Sequence, residues 1–458
     1  MRSPGPVVDA REHWVPTTTS RTQPTGVEGL PSAVRRLDLC VMTCIAHLPA
    51  TAAALLLLAA CGGGSSDPIG NEPGGNQPGG NQPTNDPPVL TRSVLLQGLS
   101  NPWDIAVAPD GSMFFTEKCR GLSVRHPDGT VTRLFGTSGS ALVAPDLECV
   151  GQSGVHGVAL DPAFATNRTL YVYMLSTIST SPRTNRVVRL VLNSGYTSAD
   201  GRADLISDIP FKDASNAVGG AGSHSGGRIR FGPDGFLYVT TGDNHNQALP
   251  QSPTMLGGKV LRLTTTGAAA PGNTPPAGFD ARIFTYGHRN VQGITFRPGT
   301  GQPFISEHGP NHSDEVTPLV NGGNGGWDPK DRPSLSCPGG YCGYAGNSST
   351  MPMTDVARFP TAMRPSWSND GSSQGMGPAV FLVGTQWAAW NGRLAVGIMG
   401  GARLKILELD AAGTTTGAID ASLPDARYRA LTLGPDGNLY VSTDSGEIWR
   451  VTPSPPAR

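Results

Sequence analysis

The chain has 458 residues, of which 61 are glycine and 41 are proline, while only 15% are charged and the formal net charge is −1. The near-neutral charge excludes a typical nucleic-acid-binding protein, and the density of Gly and Pro excludes a coiled coil or a helical bundle. Hydrophobic residues make up 37% of the chain, which argues against disorder throughout. We therefore expect many short strands and turns, arranged as one large β domain or two ordinary ones.

Residues 1–60 are predicted to be an export segment. The apolar run over residues 46–60 follows Arg35 and Arg36 and is too short to span a bilayer comfortably, which is typical of a signal peptide. Residues 1–33 look like an over-extended start, because a start near residue 34 or Met42 would give a signal of normal length.

The export segment ends in Leu-Ala-Ala followed by Cys61, which resembles the bacterial lipobox, whose cysteine is lipidated. An ordinary signal peptide with a nearby cysteine is the alternative. No Asp follows Cys61, so we expect a lipoprotein on the periplasmic side of the outer membrane, held to the membrane only through its lipid anchor.

Residues 61–92 are predicted to be a disordered tether. They are rich in Gly, Pro and Asn, contain a repeated Gly-Gly-Asn-Gln-Pro sequence, and have too few apolar side chains to form a core. This leaves residues 93–455 as the functional unit.

Four cysteines lie in the functional unit: Cys119, Cys149, Cys337 and Cys342. Export would permit disulfides. Cys337 and Cys342 could close a small loop and leave Cys119 to pair with Cys149, although three pairings are possible and the sequence does not choose. A zinc site is a less favoured alternative, because there is no Cys-x-x-Cys or nearby His pattern.

One pattern recurs along the functional unit: an apolar strand, a Pro-Asp-Gly turn or a variant of it, and a second strand. Clear copies occupy residues 105–116, 158–173, 229–240, 294–306 and 431–442. The last gap is about twice as wide as the others, so a degenerate copy is predicted over residues 390–396, with its turn at Asn391-Gly392. Six hairpin-bearing units of about 60 residues predict an all-β, six-bladed β-propeller. A β-sandwich or a β-helix explains this periodicity less well.

Polar residues cluster around the third hairpin. His224 precedes it and Asp243 follows it, so the up-and-down course of one hairpin returns Asp243 to the neighbourhood of His224. A carboxylate there would fix the tautomer of the imidazole and raise its basicity, as in a general base. A purely structural His–Asp pair has the same spacing and is the alternative.

Further polar segments lie at residues 286–293 and 306–315, around the fourth hairpin, and at residues 427–429 before the last. Arg427 and Arg429 are two residues apart and share one face of a strand. Such a pair suits a polycarboxylate ligand, although solvated arginines would show the same spacing.

Together these segments resemble the glucose/sorbosone dehydrogenase family over nearly all of residues 95–455. The motifs, in chain order, are GLSNPWDIA (98–106), GQSG (151–154), the block from His224 to Asp243, GGKVLR (257–262), GHRN (287–290), EHGP (307–310) and RYR (427–429). Members of this family are six-bladed propellers and quinoproteins. The resemblance implies an enzyme that uses pyrroloquinoline quinone (PQQ) and calcium to oxidise the C1 hydroxyl of aldose sugars to the lactone, and that passes electrons to an external acceptor.

The resemblance also implies roles for individual residues. His224 would be the catalytic base, Asp243 the carboxylate that orients it, and Arg289 the group that polarises the quinone oxygens. Further cofactor contacts would be Gln152, Asn290, Gln292, Arg427 and Arg429. The carbonyls of Gly309 and Pro310 would bind the calcium that also holds PQQ, and Glu315 with the Gly325 carbonyl would form a structural calcium site.

The sequence departs from the family at two of these positions. Ser223 stands where some glucose-oxidising members have Asp, and Gly400 stands where many members have a Lys that contacts PQQ. Arg403 or Lys405 are the candidates to replace that Lys. Residues 330–380 match poorly, so the preferred sugar is not predicted.

Two other functions remain as alternatives. A non-catalytic propeller could use the same pocket for binding alone, as the departure at Gly400 would favour. A calcium-dependent lactonase would require several carboxylates that converge on a metal in the central channel, and no such set is apparent in the sequence.

Overall fold

The computed structural model describes residues 86–178, 183–213, 218–332, 337, 340–344 and 351–454. The predicted export segment, Cys61 and most of the predicted tether lie outside these residues. No helix in the described ranges is both long and apolar enough to cross a bilayer.

The described strands form six sheets, here called blades 1 to 6, in which the strands are antiparallel except for one short strand of blade 1. Blade 1 contains β2 (Pro102–Val107), β3 (Met113–Glu117), β4 (Gly121–Arg125), β5 (Val131–Gly136) and the short parallel β6 (Leu142–Val143). Blade 2 contains β7 (Val155–Leu160), β8 (Thr169–Ser176), β9 (Thr184–Leu192) and β10 (Ala199–Pro210), with a short helix, α1 (Phe164–Asn167), between β7 and β8. Blade 3 contains β11 (Ile229–Phe231), β12 (Leu237–Thr240), β13 (Lys259–Leu263) and β14 (Ile283–Tyr286).

Blade 4 contains β15 (Val291–Phe296), β16 (Pro303–Glu307), β17 (Glu315–Pro318) and β18 (Trp367–Ser368). Blade 5 contains β19 (Met376–Phe381), β20 (Leu394–Ile398), β21 (Arg403–Leu409) and β22 (Thr415–Asp420). Blade 6 contains β23 (Tyr428–Leu433), β24 (Leu439–Thr443), β25 (Glu447–Ser454) and β1 (Val89–Leu96).

The six blades close into a ring. The first strand of blades 1 to 6, which is β2, β7, β11, β15, β19 and β23 in turn, contacts that of the next blade, and β23 contacts β2. Apolar side chains fill the spaces between neighbouring blades, as in the cluster of blades 1 and 2 around Phe114 and Val172. The predicted six-bladed β-propeller is confirmed.

The ring is completed by the first strand, which pairs with the last so that Val89 lies opposite Ser454. The propeller therefore begins at Val89, and the predicted boundary at residue 93 is too late by four residues. The physical reason is that β1 is an edge strand, mostly exposed, held by backbone hydrogen bonds to β25. It lacks the alternation of buried apolar residues by which strands are recognised.

The Pro-Asp-Gly turns between the first two strands of blades 1, 3 and 6 share one set of hydrogen bonds, which the Pro127–Gly129 turn between β4 and β5 repeats. In blade 1, the Gly111 N–H donates to the Ala108 carbonyl at 2.9 Å, and the Asp110 carboxylate accepts from the Ser112 N–H at 2.9 Å. The turns of blades 3 and 6 repeat both bonds. The glycine has a positive φ in all three, +85° at Gly111, which explains why this tripeptide marks the hairpins in the sequence.

The degenerate sixth copy differs from its prediction. Blade 5 lies in the wide gap as expected, but β19 and β20 are joined by residues 382–393, which include a 3-10 helix (Thr385–Trp390). Trp390 ends this helix instead of belonging to a strand, and Asn391-Gly392 is one end of the longer loop. Trp387 and Trp390 are buried, and the Trp387 indole N–H donates to the Gly437 carbonyl at 3.0 Å. In place of a tight turn, this hairpin therefore has a longer loop that is held by the burial of two tryptophans.

Two disulfides resolve the cysteine pairing, Cys119–Cys149 and Cys337–Cys342. The first joins the segment after β3 in blade 1 to the segment before β7 in blade 2. The second closes a short loop that follows blade 4's β17. Because both sulfurs of Cys337 and Cys342 are in a disulfide, they are not thiolate ligands for a metal.

Candidate active site

The candidate site lies at one end of the ring. Because the strands of each hairpin are antiparallel, the start of a blade's innermost strand and the end of its second strand lie at the same end. A cavity of about 330 Å³ opens there. Its wall includes nine of the residues predicted from the sequence: Gln152, His224, Arg289, Asn290, Gln292, Gly309, Pro310, Arg427 and Arg429.

Arg228, just before β11, forms the floor beneath this cavity. Its guanidinium forms an ion pair with Asp104 of blade 1 at 2.5 Å. It also donates to the carbonyls of Gln292 in blade 4, at 3.1 Å, and Arg429 in blade 6, at 2.7 Å. The side chain is buried and lies over the indole of Trp103, 4.1 Å from the ring centroid. One arginine therefore ties blade 3 to three other blades across the channel.

His224 and Asp243 form the predicted pair, with 2.7 Å between Nδ1 and Oδ1. Asp243 is fully buried behind the cavity wall. Its carboxylate also accepts from the Trp327 indole and the Tyr341 hydroxyl, each at 2.8 Å, and from the His245 backbone N–H at 3.0 Å. Burial raises the pKa of Asp243, but these partners are donors, which a carboxylate satisfies and a carboxylic acid does not.

This pairing leaves His224 with the properties of a base. Its Nδ1 hydrogen is directed to Asp243, so the lone pair is on Nε2. Burial, together with the cations Arg289 and Lys212, lowers the pKa of His224 well below its usual value, and the imidazole is neutral at neutral pH. The backbone at His224 has a φ of +51°, which is a strained conformation for a non-glycine residue and is characteristic of functional sites.

Arg289 is a buried cation with few direct partners, although Tyr341, Tyr344, Asp243 and Glu307 raise its pKa against the effect of burial. Its Nη1 donates to the His308 carbonyl at 3.0 Å, and its Nε has no hydrogen-bond partner. No carboxylate of the described residues forms an ion pair with it. A buried, incompletely paired guanidinium is costly, and it is suited to bind an anion that enters the cavity.

Glu307, at the end of β16, holds the backbone that carries Arg289. Its buried carboxylate accepts from the backbone N–H groups of Arg289 and, at 3.0 Å, Asn290. The His288 Nδ1 is 3.2 Å from its other oxygen. Glu307 belongs to the EHGP motif, but the sequence predicted no role for it.

We expect Glu307→Ala to lower the free energy of unfolding by about 2 kcal/mol or more, because two buried N–H groups lose their acceptor. The Arg289 side chain should shift, and the affinity for its ligand should fall. Denaturant unfolding and ligand titration measure the two effects. Glu408→Ala, at an exposed side chain on β21, is the matched control. A Glu307 variant with parental stability and affinity would contradict this role.

Arg427 and Arg429 lie on the same side of the last blade's inner strand. Arg427 Nε is 2.9 Å and Arg429 Nη2 is 2.7 Å from Oδ2 of Asp444, at the end of β24. The structure thus brings together the two predicted cations, with a carboxylate that the sequence analysis did not identify.

Gly400 has a steric explanation. A Cβ at this position would lie 2.6 Å from the Gln374 carbonyl oxygen. The two candidates proposed to replace the family Lys are wrong, because Arg403 and Lys405 both pair with Asp420 on β22, outside the cavity.

Lys118 instead supplies a cation to the cavity wall, with Nζ 2.7 Å from the Gly151 carbonyl. Burial and the charge of Arg429 lower the pKa of Lys118. This lysine follows β3 in blade 1 and was not identified from the sequence, because nothing in its local pattern distinguishes it from a surface lysine.

The predicted metal ligands fall into two groups. Gly309 and Pro310 lie in the cavity wall, and the Gly309 N–H donates to the buried carboxylate of Asp314 at 2.9 Å. Glu315 and Gly325 are not in that wall. Glu315 accepts a hydrogen bond from the Thr354 hydroxyl at 2.8 Å. Asp355, which follows Thr354 in the chain, donates its N–H to the carbonyl of Gly326 at 3.1 Å.

The electrostatics of Glu315 suit a bound cation. Burial raises its pKa to about 8, and the nearby carboxylates of Glu307, Asp314 and Asp370 add to the shift. A hard cation with carboxylate and carbonyl ligands would relieve this repulsion.

Several site residues were missed by sequence reasoning. Tyr341 and Tyr344 lie in the Cys337–Cys342 loop region, within the segment that matched the family poorly, so no motif marked them. His245 could have been predicted from the sequence, because it follows Asp243 by two residues and residues two apart in an extended segment lie on the same side.

Comparison with known proteins gives a consistent picture. Residues 99–450 match the family model described as glucose/sorbosone dehydrogenase. The aldose sugar dehydrogenase YliI of Escherichia coli (strain K12) is 27% identical over 366 residues, which cover 79% of this chain and 92% of that protein. Quinoprotein glucose dehydrogenase B of Acinetobacter calcoaceticus is 30% identical over 266 residues, 52% of each protein. The structure of the PQQ-bound aldose sugar dehydrogenase of Streptomyces coelicolor is similar, with a TM-score of 0.60 and 25% identity, covering 81% of this chain and all of that one.

Proposed function

The chain belongs to the glucose/sorbosone dehydrogenase family, and from this premise we propose that it is a PQQ- and calcium-dependent aldose dehydrogenase. It oxidises the C1 hydroxyl of an aldose to the lactone and passes the electrons to an external acceptor. The observation that carries the proposal is Arg289, a buried guanidinium without a carboxylate partner among the described residues, in the wall of the same cavity as His224.

The charge of the cavity supports a tricarboxylate ligand. Among the described residues, its wall contains four cationic side chains, Lys118, Arg289, Arg427 and Arg429, and one carboxylate, Asp444. The excess of three positive charges equals the number of carboxylates on PQQ. Planar arginine groups bind carboxylates through paired hydrogen bonds. Arg427 and Arg429 are therefore suited to bind a carboxylate of the cofactor, either in place of Asp444 or in addition to it.

When bound, PQQ supplies the two-electron acceptor for the oxidation at C1. His224 accepts the proton of the C1 hydroxyl on Nε2, and Asp243 stabilises the imidazolium that forms. Arg289 holds positive charge at the place where negative charge develops, which is effective in a site from which water is excluded.

Calcium would be held by oxygen atoms at two places. The carbonyls of Gly309 and Pro310 line the cavity and would bind the ion that also contacts the cofactor. Glu315 and the Gly325 carbonyl would hold a structural ion. An ion held by the carbonyls of Gly309 and Pro310 would supply positive charge against the carboxylates of the ligand.

The decisive experiment is reconstitution. Purified protein is mixed with PQQ and calcium, and sugar-dependent dye reduction is followed across a panel of aldoses. Reduction that is lost on calcium chelation and restored by calcium supports the proposal. Absence of PQQ binding, together with no reduction by any aldose, would rule it out.

Arg427→Ala should weaken PQQ affinity, because a charge-assisted hydrogen bond to a carboxylate is lost. We expect a loss of about 1.5–3 kcal/mol, roughly a 10- to 150-fold rise in Kd, measured by fluorescence titration. Arg403→Ala removes an arginine that is paired outside the cavity and should leave Kd unchanged. Equal affinity of both variants would contradict the assigned contact.

The cavity also distinguishes this proposal from a lactonase. A lactonase that used calcium would need several carboxylates around the metal, whereas among the described residues the wall has only Asp444, which Arg427 and Arg429 neutralise. The intact set of His224, Asp243 and Arg289 favours an enzyme over a binding module.

We also propose that the protein is a lipoprotein, anchored through Cys61 on the periplasmic side of the outer membrane; the lipobox-like sequence before Cys61 supports this. Cys61→Ser should move the protein from the membrane fraction to the periplasmic fraction and abolish incorporation of labelled palmitate. Cys44→Ser, at a position within the export segment after both proposed starts, is the control. Membrane association of Cys61→Ser equal to that of the parent would contradict the anchor.

A further inference from the structure

A second imidazole lies against the proposed base. His245 is buried, and its Nε2 is 2.8 Å from Nε2 of His224. The ring centroids are 3.7 Å apart and the planes are inclined by 61°, so the rings lie side by side. Nδ1 of His245 is 3.1 Å from the Val218 carbonyl, which can only accept a hydrogen bond. The His245 hydrogen is therefore on Nδ1, and Nε2 is an acceptor that can take a hydrogen bond from the Tyr344 hydroxyl or a proton from His224 Nε2.

The chain of contacts continues to the surface. The Tyr344 hydroxyl is 3.0 Å from Nε2 of His245. Tyr344 is 42% exposed and its ring lies 5.2 Å from the Arg289 guanidinium carbon. Successive contacts of 2.8 and 3.0 Å therefore connect buried His224, through His245, to a side chain that reaches solvent.

The proposed chemistry requires such a connection. Each turnover leaves one proton on His224, and burial with the cations Arg289 and Lys212 disfavours an imidazolium there. Asp243 already accepts from Trp327 and Tyr341 in addition to His224, so it is not a free proton acceptor. A base that is to act again must pass its proton to another group.

We propose that His245 and Tyr344 form the route by which the proton leaves His224, an inference that rests on the proposed function. The proton taken from the C1 hydroxyl moves from His224 Nε2 to His245 Nε2. It then passes to the Tyr344 oxygen while the hydroxyl hydrogen of Tyr344 is released to water. One proton enters the path and one leaves it, and the two electrons from C1 go to the cofactor, so every group in the path returns to its starting state.

The environment of His245 disfavours an imidazolium, so a proton that reaches His245 is passed on. His245 faces Asp243, His224, Arg289, Lys212, Tyr341 and Tyr344. Burial and the neighbouring His224 lower the pKa of His245 to about 3, so neither imidazole retains the proton. Two imidazoles in contact titrate as a coupled pair.

The test uses variants of the full chain. His245→Gln keeps a polar side chain but cannot carry a proton, and Tyr344→Phe keeps the ring beside Arg289. In the reconstituted enzyme we expect His245→Gln to lower kcat at least about tenfold with little change in KM, and Tyr344→Phe to have a smaller effect. Small imidazole buffers should restore kcat of both variants in a concentration-dependent way and leave the parent unaffected. His126→Gln, in blade 1 beside Thr132, is the control.

A measurement on the protein without cofactor separates this inference from the proposed function. With 15N-labelled histidine, the Nε2 signals of His224 and His245 should titrate together in the parent. In His245→Gln, the His224 signal should titrate at higher pH, because a neighbouring cation can no longer form. An unchanged His224 titration, or full kcat in His245→Gln without buffer dependence, would overturn the relay. Failure of the parent to oxidise any aldose would instead count against the proposed function.

Discussion

Replacement of His224 by alanine is expected to lower turnover by about 10²- to 10⁴-fold, which is the usual contribution of a general base. The affinity for PQQ should change little, because the loss of a proton acceptor affects the reaction more than ground-state binding. The structure gives the reason: Asp243 directs the Nδ1 hydrogen, the lone pair is on Nε2, and burial keeps the imidazole neutral.

Steady-state dye reduction and PQQ titration measure these two quantities. Asp243→Asn should also be slow, since the tautomer of His224 is then no longer fixed, and His126→Ala should behave as the parent. Because burial and neighbouring cations depress the pKa of His224, the neutral base persists as the pH falls, and the acidic limb of kcat/KM should lie below pH 6.5. Normal turnover in His224→Ala would refute the role.

Replacement of Arg289 by methionine should lower the affinity for PQQ. Without cofactor, we expect no gain in stability, because Tyr341, Tyr344, Asp243 and Glu307 raise the pKa of Arg289 against the effect of burial, and the two carboxylates lose a compensating charge. The affinity for PQQ should fall by about 2–5 kcal/mol, roughly 30- to 4000-fold in Kd, because the cofactor then lacks its buried cationic partner.

Urea unfolding of the protein without cofactor measures the stability of the variant, and fluorescence titration with PQQ measures its affinity for the cofactor. Arg403→Met, at an exposed ion pair on β21, is the control and should change neither quantity much. A variant more stable than the parent would show that Asp243 and Glu307 do not compensate the charge of Arg289, whereas unchanged affinity would remove Arg289 from the cofactor site.

The features that the sequence predicted are those determined by local chemistry. The Pro-Asp-Gly turns use hydrogen bonds within a few residues, as at Gly111, so they are visible without the fold. His224 and Asp243 are separated by one hairpin, and the geometry of a hairpin returns the chain to its starting end. The alternation of side chains along a strand predicted that Arg427 and Arg429, two residues apart, lie on one side.

The features that escaped prediction depend on distant partners. His245 contacts Tyr344, 99 residues further along the chain, and the loop that carries Tyr344 has no regular pattern. Lys118 enters the cavity because blades 1 and 6 are neighbours, which makes it a neighbour of Arg429. The strand that begins at Val89 is recognisable only through its pairing with β25 at the other end of the chain.

The floor formed by Arg228 has a kinetic consequence. This guanidinium is buried and bonds to Asp104, Gln292 and Arg429, so it blocks passage between the blades at this level of the ring. For an enzyme of the proposed function, we therefore expect the sugar and the electron acceptor to use the same end of the cavity, one after the other. The two half-reactions then alternate, double-reciprocal plots at several acceptor concentrations are parallel, and excess sugar slows turnover by excluding the acceptor.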